Sequence, residues 1–127
     1  GGIHKAHVLY EMAVTSRMIQ DLSAAKGYLT RALQTEALAA SLSPLWSTLQ
    51  LRLHLELGEV LLALNEVKSA MWYFTRYIAG LVARPPPSLS RDPAGRAAWW
   101  KFHSELSVGC LCLGATLLCE GFQGLAR

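Results

Sequence analysis

Histidines, cysteines and a closely spaced pair of glutamates are the residues of this 127-residue chain whose chemistry could reach beyond packing. His4 and His7 are three positions apart and can share a helix face, while His54 and His103 lie far off in sequence. No cysteine joins them at ligand spacing, and there is no His-Glu-x-x-His segment. Solvated or packed histidines are therefore expected, with no metal and no cofactor. Glu56 and Glu59 fall on one face of a helix, yet a di-metal carboxylate site needs Glu-x-x-His pairs that the chain lacks. They read as an exposed acidic face. Cys110, Cys112 and Cys119 crowd one end of the sequence. Residues two apart on a helix point to different faces, so Cys110 and Cys112 are poorly placed to pair or to share a metal. A reducing compartment follows, which places the chain inside the cell, in cytoplasm or nucleus. Apolar neighbours raise a thiol pKa and leave Cys110 a poor nucleophile. Gly109, Gly114, Gly121 and Gly124 sit in a helical pattern with no strand before them, so they do not form a phosphate loop. No catalytic residue is expected.

The aromatic pairs Trp72-Tyr73 and Trp99-Trp100 can each bury one ring while the other points elsewhere. Stacking on single-stranded nucleic acid needs interleaved cations, and only Arg96 and Lys101 are near. The net charge of +3 is spread along the chain, which also argues against a nucleic-acid partner. Apolar residues reach 52% and charged residues 17%, so much of the surface must be covered by the core or by something else. The first five residues lack the charged-then-apolar plan of a signal peptide. The longest stretch without charge, Leu106 to Cys119, is fourteen residues. A membrane span needs about 20, so none is expected.

These residues must be positioned by helices. Val8, Leu9, Met12, Ala13 and Ile19 recur at helical spacing without Gly or Pro, which predicts a first helix from His4 to Gln20. Asp21 or Ser23 can cap a second helix to about Ala40, burying Ala25, Leu29, Ala32, Leu33 and Leu38. Ser43-Pro44 is a helix start, since Pro at the first helical position loses no intrahelical bond. The third helix, to about Leu64, contains Leu51 to Leu57 in strict alternation, the period of a strand. Leu, Arg and Glu favour helix, and no β-branched residue occurs there, so helix is the reading. Asn65-Glu66 is a short turn, followed by a fourth helix outlined by Val67, Ala70, Met71, Phe74, Tyr77, Ile78 and Leu81. Prolines 85 to 87 and 93 force a loop over residues 84–93. A long helix of about residues 94–122 carries Trp99, Trp100, Phe102 and Leu106, with Gly109 and Gly114 as places where it could bend.

Laying the first two helices over the next two with a shift of 45 residues aligns Met12-Ala13 with Leu57-Gly58, Ala25 with Ala70, Leu29 with Phe74 and Ala32 with Tyr77. Small residues let paired helices approach, and the large residue one turn on fills the space between hairpins. This arrangement resembles the tetratricopeptide repeat, whose pattern sets a Leu-Gly or Leu-Ala pair in one helix and Ala, an aromatic, then Ala in the next. The resemblance implies an all-α fold of antiparallel helical hairpins stacked as a short α-solenoid of about five helices, hairpin 1 over residues 4–40 and hairpin 2 over residues 44–83. The 45-residue period exceeds the usual repeat of about 34 and is nearer that of HEAT and armadillo repeats. Long repeats of this kind look like those of large scaffold subunits such as cohesin-loader, separase or anaphase-promoting-complex proteins. Leu113-Gly114, a further 56 residues on from Leu57-Gly58, looks like the opening of a third unit.

Transferring the carboxylate clamp of co-chaperone repeats onto this register gives Tyr10, Val14 and Glu56. None is the required cation or amide, and Glu56 would repel an acidic tail. The remaining groove-lining positions are His7, Tyr10, Arg17, Arg52, Leu55, Glu59 and Leu62, suited to a mixed apolar and polar segment of another protein or peptide. The expected function is a non-enzymatic scaffold or adaptor, with a helical regulatory or accessory domain of a larger enzyme or complex as the alternative. The last helix is apolar nearly all round. Either it is sandwiched between the hairpins, or its exposed surface implies an obligate partner or self-association through residues 106–125.

Overall fold

A computed structural model describes the backbone of residues 2–40 and 48–126 and the side chains of residues 5–35 and 48–124. Five helices follow one another: α1 (Gly2–Met18), α2 (Leu22–Ala40), α3 (Thr48–Ala63), α4 (Val67–Val82) and α5 (Pro93–Ala126). No strand occurs among the described residues, and the alternating Leu51–Leu57 segment is helical. The expected start at Ser43-Pro44 lies outside the described residues. α1 packs on α2 and α3 on α4 as hairpins; α2 joins α3, and α4 joins α5, so each helix meets chiefly its neighbours in sequence. Lighter contacts of α1 with α3 and of α3 with α5 line up the odd-numbered helices along one side of the stack.

The two hairpin turns are copies of one motif, 45 residues apart. Gln20 and Asn65 take left-handed backbones, with φ of 65° and 64°. The Gln20 N–H donates to the Arg17 carbonyl and the Asp21 N–H to that of Ser16; Asn65 and Glu66 do the same with Leu62 and Leu61. These two bonds satisfy carbonyls that the end of a helix leaves without partners, the Schellman arrangement. Asp21 then caps α2, its Oδ1 accepting from the Ala24 N–H at 3.2 Å. Of the two candidate caps, Asp21 is the one used. Asp92 caps α5 in the same way, accepting from the Gly95 N–H at 3.2 Å ahead of Pro93 at the first helical position.

The core forms where the repeat places small residues against large ones. Ala13, Ala25, Leu29, Ala32, Leu57, Ala70 and Phe74 are buried, as expected, and join Leu9, Leu53 and Val60 in one cluster. Burying each large side chain contributes roughly 1.5–3 kcal/mol. On α1 the expected set is only half right: Leu9 and Ala13 are buried, but Val8 is 45% exposed, Met12 41% and Ile19 72%. The face of α1 turned to α2 is instead Ala6, Leu9, Ala13 and Ser16. On α3, the corresponding stripe of Leu51, His54, Gly58 and Leu61 faces α4, while a second stripe of Gln50, Leu53, Leu57 and Val60 is also buried. α3 is thus covered on two faces and α1 on one.

α5 is not sandwiched between the hairpins. It lies at the end of the stack, with Phe102 and Leu106 against Leu51, Tyr77 and Leu81, and Gly109 facing Tyr77 and Ile78. Gly109, expected as a bend, is a point of close approach: a Cβ there would come 2.9 Å from the Tyr77 ring. The opposite side of α5 leaves Leu111, Leu117, Leu118 and Phe122 exposed. By length and composition, Pro93–Gly124 is long and apolar enough to cross a membrane; the fourteen-residue charge-free stretch alone did not suggest this.

Candidate functional site

The inner edges of α1, α3 and α5 carry charged side chains on an otherwise apolar floor. Arg17, in the last turn of α1, reaches across to α3, where its Nη1 lies 2.7 Å from Glu56 Oε2 and 2.8 Å from Glu59 Oε2. The two glutamates are one helical turn apart, so a single guanidinium bridges both. They are half-buried and paired, not the exposed acidic face that their spacing alone suggested. Burial is the largest single influence on Arg17 and opposes its charge; the Glu59 hydrogen bond and the two carboxylate charges together outweigh it and raise the pKa. Glu59 also accepts from the Cys112 thiol of α5, Sγ to Oε1 at 3.8 Å. Burial first, then the Glu59 carboxylate, pushes that thiol up. Arg17, Glu59 and Cys112 therefore link α1, α3 and α5 in one row.

Further along the same side, Arg52 of α3 has its charge stabilised chiefly by Tyr10 of α1 and secondarily by Glu56 and Glu105. Leu55, between Arg52 and Glu59 on α3, packs between the two core clusters. A cleft of about 360 Å³ opens beside it, bounded by Arg52, Leu55, Tyr77, Phe102, Glu105 and the Pro85–Pro87 rim. The Tyr77 hydroxyl donates to the Glu105 carbonyl at 3.3 Å. Burial, then the Glu105 charge, pushes Tyr77 up to about 12, so it stays a neutral donor at physiological pH. Arg52 and Lys101 at the mouth, the Tyr77 hydroxyl and an apolar wall suit a peptide side chain that is part apolar and part acidic.

Of the seven groove positions read from the sequence, Arg17 meets Glu59, Arg52 meets Tyr10, and Leu55 lines the cleft with Arg52; Leu62 is half-buried against the core. His7 stands apart from these. It lines a different, apolar hollow of about 490 Å³ on the outer face of α1, with Val8, Glu11, Met12, Thr15 and Tyr28. Sequence reading missed Lys101, Phe102 and Glu105, which α5 brings to the cleft from beyond the proline loop, and Cys112. His54 is packed, one of the two states expected of the histidines: the ring is buried beside Tyr73, with Nδ1 2.8 Å from the Gln50 carbonyl. Among the described residues, no group of three or more His, Cys, Asp or Glu could hold a metal ion. In comparisons with known proteins, no family model, no curated sequence and no solved structure matches this chain.

Proposed function

We propose that the chain is a non-enzymatic scaffold or adaptor of the tetratricopeptide type, which presents the groove along α1, α3 and α5 to a segment of another protein. The observation that carries this reading is the cleft beside Leu55, where Arg52 and Lys101 flank an apolar wall of Tyr77, Leu81 and Phe102. Mixed polar and apolar concavities of this kind hold peptide segments through a few anchors. The repeated hairpin turns and the neighbour-to-neighbour packing favour the repeat reading. Open apolar faces on α1 and α5 also favour the alternative, an accessory domain seated within a larger enzyme or complex.

Affinity capture with the wild-type chain and with Arg52→Glu/Leu55→Asp tests the groove. A partner retained by the first and lost from the second, with both equally helical by circular dichroism, is the expected result. A partner set that the double substitution leaves unchanged overturns the proposal.

A further inference from the structure

Between α4 and α5 the chain crosses residues 85–90 in an extended run with neither turn nor bend. Proline fixes φ near about −65° and drives the residue before it out of the helical region. Pro85 and Pro86, each followed by another proline, carry both constraints, which together define the left-handed polyproline helix of about three residues per turn. Exposure follows that period. Arg84, Pro87 and Ser90 are half-buried, while Pro85, Pro86, Ser88 and Leu89 are exposed, Leu89 at 65%. One edge of the segment therefore lies on the protein and two face outward. Both ends are pinned. The Ala83 N–H donates to the Ala79 carbonyl and the Arg84 N–H to that of Leu81, closing α4. At the other end the Ser90 Oγ accepts from the Asp92 N–H at 3.0 Å, and it lies so near α5 that a Cβ on Gly95 would stand 2.6 Å from it.

We propose that this segment is itself a ligand, read by a partner protein whose groove is lined with aromatic rings and flanked by a carboxylate. Pro86 and Leu89, three positions apart, share one outward ridge, and the aromatic rings of the partner take these two side chains. The exposed Arg91 follows at the end of the run and pairs with the carboxylate. Because the prolines and the pinned ends hold the segment in its bound form beforehand, little entropy is lost on docking. Other occupants fit less well. A partner strand finds no donors at residues 85–87, since proline has no N–H. A partner helix needs a groove, and the outward side here is a ridge. A bilayer would gain one large apolar side chain, Leu89, with Arg91 beside it. Pro85 and Pro87 also border the cleft, but there the chain is the receptor and here it is the bound segment.

A panel of isolated SH3 and WW domains, common readers of polyproline helices, is the probe, titrated with the full chain and followed by calorimetry. At least one domain should bind. Pro86→Ala, Leu89→Asp and Arg91→Glu should each weaken that binding by about tenfold or more. All three positions are exposed and outside the helices, so the variants should keep the helical circular dichroism of the wild type. Arg52→Glu/Leu55→Asp should leave the affinity unchanged, which makes failure here distinguishable from failure of the groove. No binding by any domain overturns the proposal, as does binding that Pro86→Ala and Leu89→Asp leave intact. Binding by a peptide of residues 83–92 but not by the folded chain also overturns it, since the fold would then mask the segment. So does a concentration-dependent dimer that Leu89→Asp abolishes, because a second copy would then be the occupant.

Discussion

The ring of Phe74 lies over Gly58 so closely that a Cβ at residue 58 would stand 2.5 Å from its Cε1. That contact is made inside the second hairpin, where both residues are buried, and neither the backbone nor a fully buried ring can retreat cheaply. Gly58→Ala should therefore lower stability by about 1–3 kcal/mol through overpacking, although alanine is the better helix former. Gly27, also mid-helix, has nothing within 4 Å of its would-be Cβ. There the same substitution should raise stability by roughly 0.5–1 kcal/mol. Urea melts of the two variants should shift in opposite directions, and shifts of the same sign would refute the close contact.

Gln20 holds a positive φ that Asn65 holds in the second hairpin, and a long side chain gains nothing there. Gln20→Gly should stabilise the chain by about 0.5–1 kcal/mol, since glycine adopts this backbone without steric cost. Asn tolerates the left-handed region, and the Asn65 Oδ1 also accepts from Gln123 at 2.9 Å. Asn65→Gly should be close to neutral, whereas Asn65→Val should cost about 1–2 kcal/mol. Thermal melts monitored at 222 nm, the usual helix band, provide the measurement.

Burial, opposed by the Gln50 carbonyl and aided by Arg76, lowers the His54 pKa below its ordinary 6.5. The unfolded chain then binds a proton at a pH where the folded chain does not. Its contribution to stability is complete above about pH 6.5 and is lost as pH falls through the lower folded-state value. Denaturant melts of wild type and His54→Leu across this range should differ in slope, the wild type losing more stability on acidification. Parallel pH profiles would refute the shift.

Thiol labelling should rank the cysteines by their surroundings. Cys110 and Cys119 are exposed, whereas Cys112 is half-buried and its pKa is raised by burial and by Glu59. Cys110 and Cys119 should react first, with Cys112 at least several-fold slower at neutral pH because the thiolate is the reactive form. Glu59→Gln should narrow the gap, as mass spectrometry of partially labelled chains would show.

The repeat was legible because its marks are local: the small residues at 13, 25, 58 and 70, and caps at Asp21 and Asp92, are set by what a helix pair needs at close range. The common face of Arg52, Leu55 and Glu59 on α3 was legible for the same reason. Pairings across 39 and 42 residues, Arg17 with Glu56 and Glu59, were not, because no helical period relates residues on different hairpins. Nor does periodicity tell which of two apolar stripes on α1 is covered. Val8 and Met12 have the same character as Leu53 and Leu57 of α3, and only the presence of a preceding helix pair distinguishes their burial. For α5, composition allowed either a central or a terminal place; the close fit of Gly109 to Tyr77 goes with the terminal one.

The hairpin turns, each closed by its own backbone bonds, bear on how the chain acquires and loses its structure. Because nearly every tertiary contact joins sequence neighbours, little loop-closure entropy is spent before a contact forms, and folding should be fast, starting within either hairpin. The same connectivity grades the amides. Those of α3, walled in on two faces, should exchange with deuterium last, while α1 and the outer turns of α5 fray and reclose with the rest of the molecule intact.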